Sequence, residues 1–284
     1  MGDHTHHKGG WMVSYRYMMM HMEGIGGGDV SGYMMRPESM DVQMHMVGAM
    51  YAPTDRLTFA MMVPYLIKDM DMVIGPASMP RSSHTEGIGD FRIAGIYDLW
   101  SSSAQQVLLN LAVSFPTGSI DEENAAGTRL GYPMQLGSGS YGLIPGITYT
   151  GLASRWGWGA QAKASVPLHE NKYDYRLGNR YDLQVWGLRD ICSSSALSLR
   201  LNGWHRDNIH GADPSLNPAM SPGNDPDLKA ATRLDLLAGI DYRPSGKLDG
   251  VRLAFEGGVP LYQDLDGPQL EGDWMFIAGL QASF

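Results

Sequence analysis

The chain has one cysteine, Cys192, in 284 residues. An internal disulfide is therefore excluded, and cysteine usage leaves the redox compartment open. Long hydrophobic runs are also missing. Apolar residues make up 43% of the chain and mean hydropathy is -0.22. No stretch approaches the ~20 apolar residues that a transmembrane helix needs. Basic residues are outnumbered, 21 against 30 acidic, and the formal charge of -9 argues against a nucleic-acid partner. The Walker, Rossmann and zinc-protease spacings are absent, and so is a GxSxG nucleophile motif. His205 with serines nearby is too little for a catalytic pair, so the protein is read as non-enzymatic. The N-terminus lacks a charged-then-apolar signal segment. For an exported protein, the expectation is a mature form with its signal peptide removed.

What is present is alternation. From Trp274 to Phe284 every second residue is apolar: Trp274, Phe276, Ala278, Leu280, Ala282, Phe284. A period of two over such a length is a strand with one greasy face. The same pattern recurs along the chain, with Trp11, Val13, Tyr15 and Tyr17 on one face of the first strand. Later examples are Leu57 to Ile67, Phe91 to Leu99, Val107 to Phe115, Leu234 to Tyr242 and Val251 to Leu261. About twelve strands are predicted. Short turns and longer loops alternate between them, the long ones at Glu23–Ser39, Lys68–Gly89, Pro116–Ser140 and His210–Thr232. The 36 glycines suit such turns and a tight interior. Short turns at one end, long loops at the other and an even strand count describe a bacterial outer-membrane barrel. The predicted fold is an all-β, transmembrane, antiparallel up-and-down barrel with short periplasmic turns and long extracellular loops. Residues 1–10 are predicted to be a mobile polar segment and residues 11–284 one barrel domain.

The opposite parity is polar and mixed in sign. Arg16, Asp90, Arg92, Lys163, Asp182, Arg200, Asp235, Arg252 and Glu256 are predicted to line the lumen. Charges of both signs are costly between packed sheets and tolerable against a wet lumen.

Several phrases are shared with a known group. They are Gly87-Ile88-Gly89-Asp90-Phe91, Tyr97-Asp98-Leu99, the run Leu111 to Gly118, and Leu136-Gly137-Ser138-Gly139-Ser140. As a set they resemble the outer-membrane transporter family named for the MetA-pathway of phenol degradation, over roughly residues 40–284. The resemblance implies a barrel of twelve-strand type with a transport role, and it carries over no catalytic residue. The methionine-rich opening resembles a metal-associated branch more than the phenol-linked members.

Methionine is the compositional anomaly. Of 20, all but Met134, Met220 and Met275 lie in the first 80 residues. Thioether and imidazole groups suit copper, and methionine favours Cu(I). Met18, Met20, Met22, His45 and Met62 are predicted to face the lumen together, with His4, His6 and His7 as a second cluster at the periplasmic end. Met44, Met46, Met50 and Met61 are expected on the lipid face, and Met34, Met35, Met70 and Met72 in outer loops. Copper is the one candidate cofactor. The expected function is an outer-membrane channel or carrier for small solutes, with copper or another soft metal ion as a candidate. The alternative is a plugged scaffold whose loops bind metal, a protein partner or further copies of itself. Outer-membrane lipid is the expected surrounding.

Overall fold

The computed structural model describes residues 5–244 and 246–284. Its strands are β1 (Trp11–Gly26), β2 (Met35–Thr54), β3 (Leu57–Ile74), β4 (Met79–Ile88), β5 (Phe91–Ser101), β6 (Gln105–Phe115), β7 (Gly142–Ala153) and β8 (Trp156–Pro167). They continue with β9 (Tyr175–Arg176), β10 (Arg180–Asp190), β11 (Ser195–Arg206), β12 (His210–Gly211), β13 (Ala231–Tyr242), β14 (Val251–Leu265) and β15 (Gln269–Ser283). β9 and β12 pair only with each other, in a small ribbon among the loops. All other neighbours are antiparallel, and the sheet closes because β1 pairs with both β2 and β15. β4 and β5 share one place in the wall. Both pair with β3, β4 along Tyr65 to Ile74 and β5 along Leu57 to Met62. The barrel therefore has twelve strand positions. The twelve-position wall closes on itself, as a sheet in lipid requires, and only β4 at the outer end pairs on one side, with β3.

Side chains sort by parity as the alternation predicts. Trp11, Val13, Leu109, Leu111, Leu199, Ile240 and Leu280 are exposed on the outer face. Met12, Ile96, Leu108 and Leu237 on the opposite parity are buried inside. Two aromatic belts bound the lipid zone. At the end with short turns lie Trp11, Tyr51, Tyr97, Trp156 and Tyr242, with Trp11 and Tyr51 in ring contact at 4.4 Å. At the other end a chain of ring contacts joins Phe91 to Phe115 at 5.6 Å and Phe115 to Tyr141 at 5.8 Å. The closed barrel with its lipid-facing belt places the protein in the bacterial outer membrane.

The wall is lopsided. β1, β2 and β3 run for 16, 20 and 18 residues, whereas β7, β8, β10 and β11 stop at 11 or 12. Two stretches expected to be long loops are therefore strand. Glu23–Ser39 contracts to a connection at 27–34, and Lys68–Gly89 becomes the upper part of β3, a turn at 75–78 and β4. The reason is that above the lipid an outward residue need not be apolar. Asp69 and Asp71 face out there, bound to His84 at 2.6 Å and Ser82 at 2.7 Å, and they break the alternation without breaking the ladder.

The long connections of the short wall fold over the mouth. Residues 116–141 lean onto the tall wall, where Leu130 and Met134 are buried against Met40 and Met70. Tyr132 packs with Tyr175, Ile209 and Leu216 from the two other loops. This lid doubles back on itself where Gly118 meets Gly137. Each glycine lies so close to the other's backbone that a Cβ on either would overlap it. At the opposite end, residues 5–10 are tied to the wall. The Gly9 N–H donates to the Ala52 carbonyl at 2.7 Å, the His6 N–H to Thr58 Oγ1 at 3.3 Å, and Gln106 Nε2 to Thr5 Oγ1 at 3.1 Å.

Candidate functional site

The lumen is the candidate site, and strand parity decides what faces it. Inside it lies a cavity of about 440 Å³, lined by the cations Arg16, Lys163, Arg200, Arg243 and Arg252 and by two carboxylates, Asp241 and Glu256. Each carboxylate is committed to an arginine. Arg200 Nη2 donates to both oxygens of Glu256, at 2.8 and 2.9 Å, and Arg252 donates to Asp241. Such charge-assisted contacts are the stronger class of hydrogen bond. Further along, Arg180 forks onto the buried Asp182, and Arg233 Nε donates to the buried Asp235. Arg92 and Lys163 both feel the charge of Asp182. The cavity wall is thus richer in cations than in anions, although the whole chain carries -9.

Asp90 has a different position from the other acidic residues. It stands in the gap between β4 and β5 and ties down both ends of the lid. It accepts the Gly118 N–H at 3.0 Å, the Ser138 N–H at 2.9 Å and the Ser138 hydroxyl at 2.6 Å. Lys68 holds the lid's middle, donating to the carbonyls of Pro133 at 2.8 Å and Gln135 at 2.6 Å. Thr85 donates to the Met134 carbonyl at 2.9 Å. Above the mouth, Arg129 knits the three loops together. It donates to the Tyr173 hydroxyl at 2.9 Å, lies 3.4 Å from Asp213 and stacks over the Tyr173 ring at 4.2 Å. The Lys172 ammonium and the Tyr173 hydroxyl hold the Asp121 carboxyl below the usual carboxylate range. Burial pushes the Lys229 ammonium down to about 7 and the Tyr175 phenol up to about 12.

The candidate metal residues are divided by the wall. Met18, Met20, Met22 and Met62 have inward parity. His45 does not. The buried residues of β2 are Met40, Gly48, Met50 and Ala52, so the even positions face in. His45 faces out, level with Tyr17 and Tyr65 at the outer aromatic belt. Its Nδ1 is 2.7 Å from the Tyr15 hydroxyl, and its ring lies 5.1 Å from that of Tyr17. On this strand the polar parity is not the lumen side. Asp41, Gln43 and His45 all face outward, each bonded to β1: Asp41 to His21 at 2.7 Å and Gln43 to the Tyr17 hydroxyl at 3.0 Å. Paired in this way, polar groups can sit at the rim of the lipid zone. The same correction moves Met44, Met46 and Met50 inside, whereas Met61 does face out. Met70 and Met72 lie in β3 with inward parity, not in a loop. Of the terminal cluster, His6 meets Thr58 and His7 lies 4.0 Å from Asp55, and His4 falls outside the described residues. Among the described residues no three His, Cys, Asp or Glu groups are placed to hold a metal ion.

Comparison with known proteins agrees with this architecture. Residues 27–262 match the sequence model of a family described as "Putative MetA-pathway of phenol degradation". No curated protein matches the sequence. Among solved structures, the chain is similar to the COG4313 outer membrane channel from Pseudomonas putida F1. Identity is 15%, with 99% of this chain and 98% of that one covered, at a TM-score of 0.67. It is also similar to the transport unit of the autotransporter AIDA-I from Escherichia coli (10% identity, 97% and 90% covered, TM-score 0.53). A third similar structure is the NanC porin (9% identity, 96% and 98% covered, TM-score 0.51). Identities this low establish the shared barrel fold.

Proposed function

The chain belongs to the family described as "Putative MetA-pathway of phenol degradation", and from that premise we propose that it is an outer-membrane channel for small solutes that favours anions. The observation that carries this reading is the cavity wall, with five cations against two carboxylates that are already paired. A low-dielectric wall with an excess of one sign concentrates the opposite ion. Small organic carboxylates are the natural solute class for a lumen of this charge and size.

The test is single-channel recording in a planar bilayer under a tenfold potassium chloride gradient. The expected reversal potential has the sign of chloride preference. Lys163→Glu with Arg243→Glu should move it toward the cation side. A cation-selective wild type would overturn the anion reading.

A second reading has its own observation. The mouth is covered by residues 116–141, and the other end holds residues 5–10 against Thr58 and Gln106. A barrel stoppered at both ends would be a scaffold that presents its loops to a partner. Absence of conductance in the wild type and in a variant lacking residues 1–9 would favour the scaffold.

A further inference from the structure

We propose that the outer end of the lumen is a copper(I) site made only of thioethers, with Met22, Met40 and Met70 in the wall and Met134 closing it from the lid. The site lies beyond the channel reading and stands whether or not the lumen conducts.

Register carries the geometry. Met22 is directly opposite Met40, and Met40 is directly opposite Met70. Three adjacent strands therefore place a methionine at the same height, all with inward parity. Facing neighbours in a ladder have Cβ atoms about 4.5–5.5 Å apart. Flexible thioether arms starting so close can converge on one ion. Residues of one parity along a single strand, such as Met18, Met20 and Met22, start about 7 Å apart. They also climb away from any common point. The cross-strand row, not the column, has the shape of a site.

The fourth side is closed from far away in sequence. Met134 is 2% exposed and packs in the same buried cluster as Met40 and Met70. The rest of that cluster is Leu130, with Val42, Met72, Leu270 and Met22 packed against it. Five of these eight side chains are methionine. The apolar cluster at the other end of the barrel has two methionines, Met12 and Met50, among its seven buried members. Ligand side chains that offer only thioether sulfur favour a soft monovalent ion over calcium, magnesium and zinc. Lys68, the inward residue before Met70, commits its ammonium to the carbonyls of Pro133 and Gln135. The Arg233 guanidinium lies 4.0 Å from the Met20 sulfur and against Gly272, the residue opposite Met22, so Met22 is the wall methionine closest to a fixed charge.

The experiment is a Cu(I) titration of the full-length protein in detergent against a competing bidentate chelator, with copper-edge X-ray absorption on the loaded sample. Wild type should bind one equivalent with sulfur scatterers alone. Met40→Leu/Met70→Leu should weaken binding at least about tenfold, while Met18→Leu/Met44→Leu stays at the wild-type value. Heat-modifiable gel mobility reports whether each barrel is folded. If the double variant fails that check, Met134→Leu, in the lid, replaces it and should also lose affinity. No competition by the wild type would overturn the proposal. So would equal affinity in folded Met40→Leu/Met70→Leu or Met134→Leu. Nitrogen scatterers that vanish in His6→Ala/His7→Ala would overturn it too, because the ion would then belong to the N-terminal segment.

Discussion

Asp90 shows how much one residue can be asked to do. It marks the seam between β4 and β5 and accepts three hydrogen bonds from Gly118 and Ser138. The first is one of the two crossing glycines and the second follows the other, Gly137, so the Asp90 carboxylate fixes the lid where it doubles back. Hydrogen bonds to a charged group contribute about 1.5–3 kcal/mol each, less where water reaches them. None belongs to the barrel ladder. Asp90→Ala is therefore expected to leave the barrel's unfolding temperature within a few degrees of wild type while raising the time spent in an open state. Single-channel recordings with parallel heat-modifiability assays check both halves, and an unchanged opening frequency refutes the role. The sequence displayed Asp90 as one of several inward carboxylates. Its special position depends on hydrogen bonds to residues 28 and 48 places away, which no local pattern encodes.

At the scale of elements, the alternation of Leu, Val, Ile and aromatics was enough to find the twelve strands of the lipid zone. It was not enough for β2, where Asp41, Gln43 and His45 made the polar parity look like the lumen side. Alternation assigns a face only if the polar side is the wet side. Here each of the three has an outward partner on β1, so the rule inverted. The strand ends above the membrane were hidden for a related reason, since both faces of β3 and β4 meet water or lid there. The corrected parity is testable. Val47, on the His45 face, is 60% exposed at the outer surface. Val47→Arg should destabilise the barrel by about 2–4 kcal/mol, the cost of a cation in lipid at mid-depth. Ala49→Ser on the same face should cost little. Urea titrations in lipid vesicles measure both, and a neutral Val47→Arg would put the His45 face of β2 in the lumen.

For the whole molecule, the three loops over the mouth form a small assembly of their own. Its apolar centre is Tyr132, Tyr175, Ile209 and Leu216, and its polar clasp is Arg129, Asp121, Lys172 and Tyr173. Asp121 is held below the ordinary carboxylate range, so its contribution is present above about pH 4 and is lost as the pH falls through its lowered value. Largely exposed pairs contribute about 0.2–1 kcal/mol. Asp121→Asn should accordingly show, at pH 7, the lower amide protection in residues 116–141 and 168–179, relative to intrinsic exchange, that wild type shows only in acid. Equal exchange of the two proteins at pH 7 would refute the clasp. The lopsided wall has a mechanical consequence. A rim of even height would have to splay its strands to admit a larger solute, stretching ladder hydrogen bonds all the way round. Here the covering segment leans against one raised side, like a cap propped on a parapet, and it can lift while every strand stays zipped. The cost of opening is then decoupled from the cost of unfolding, and evolution can retune the aperture by altering a few loop contacts without risking the staves.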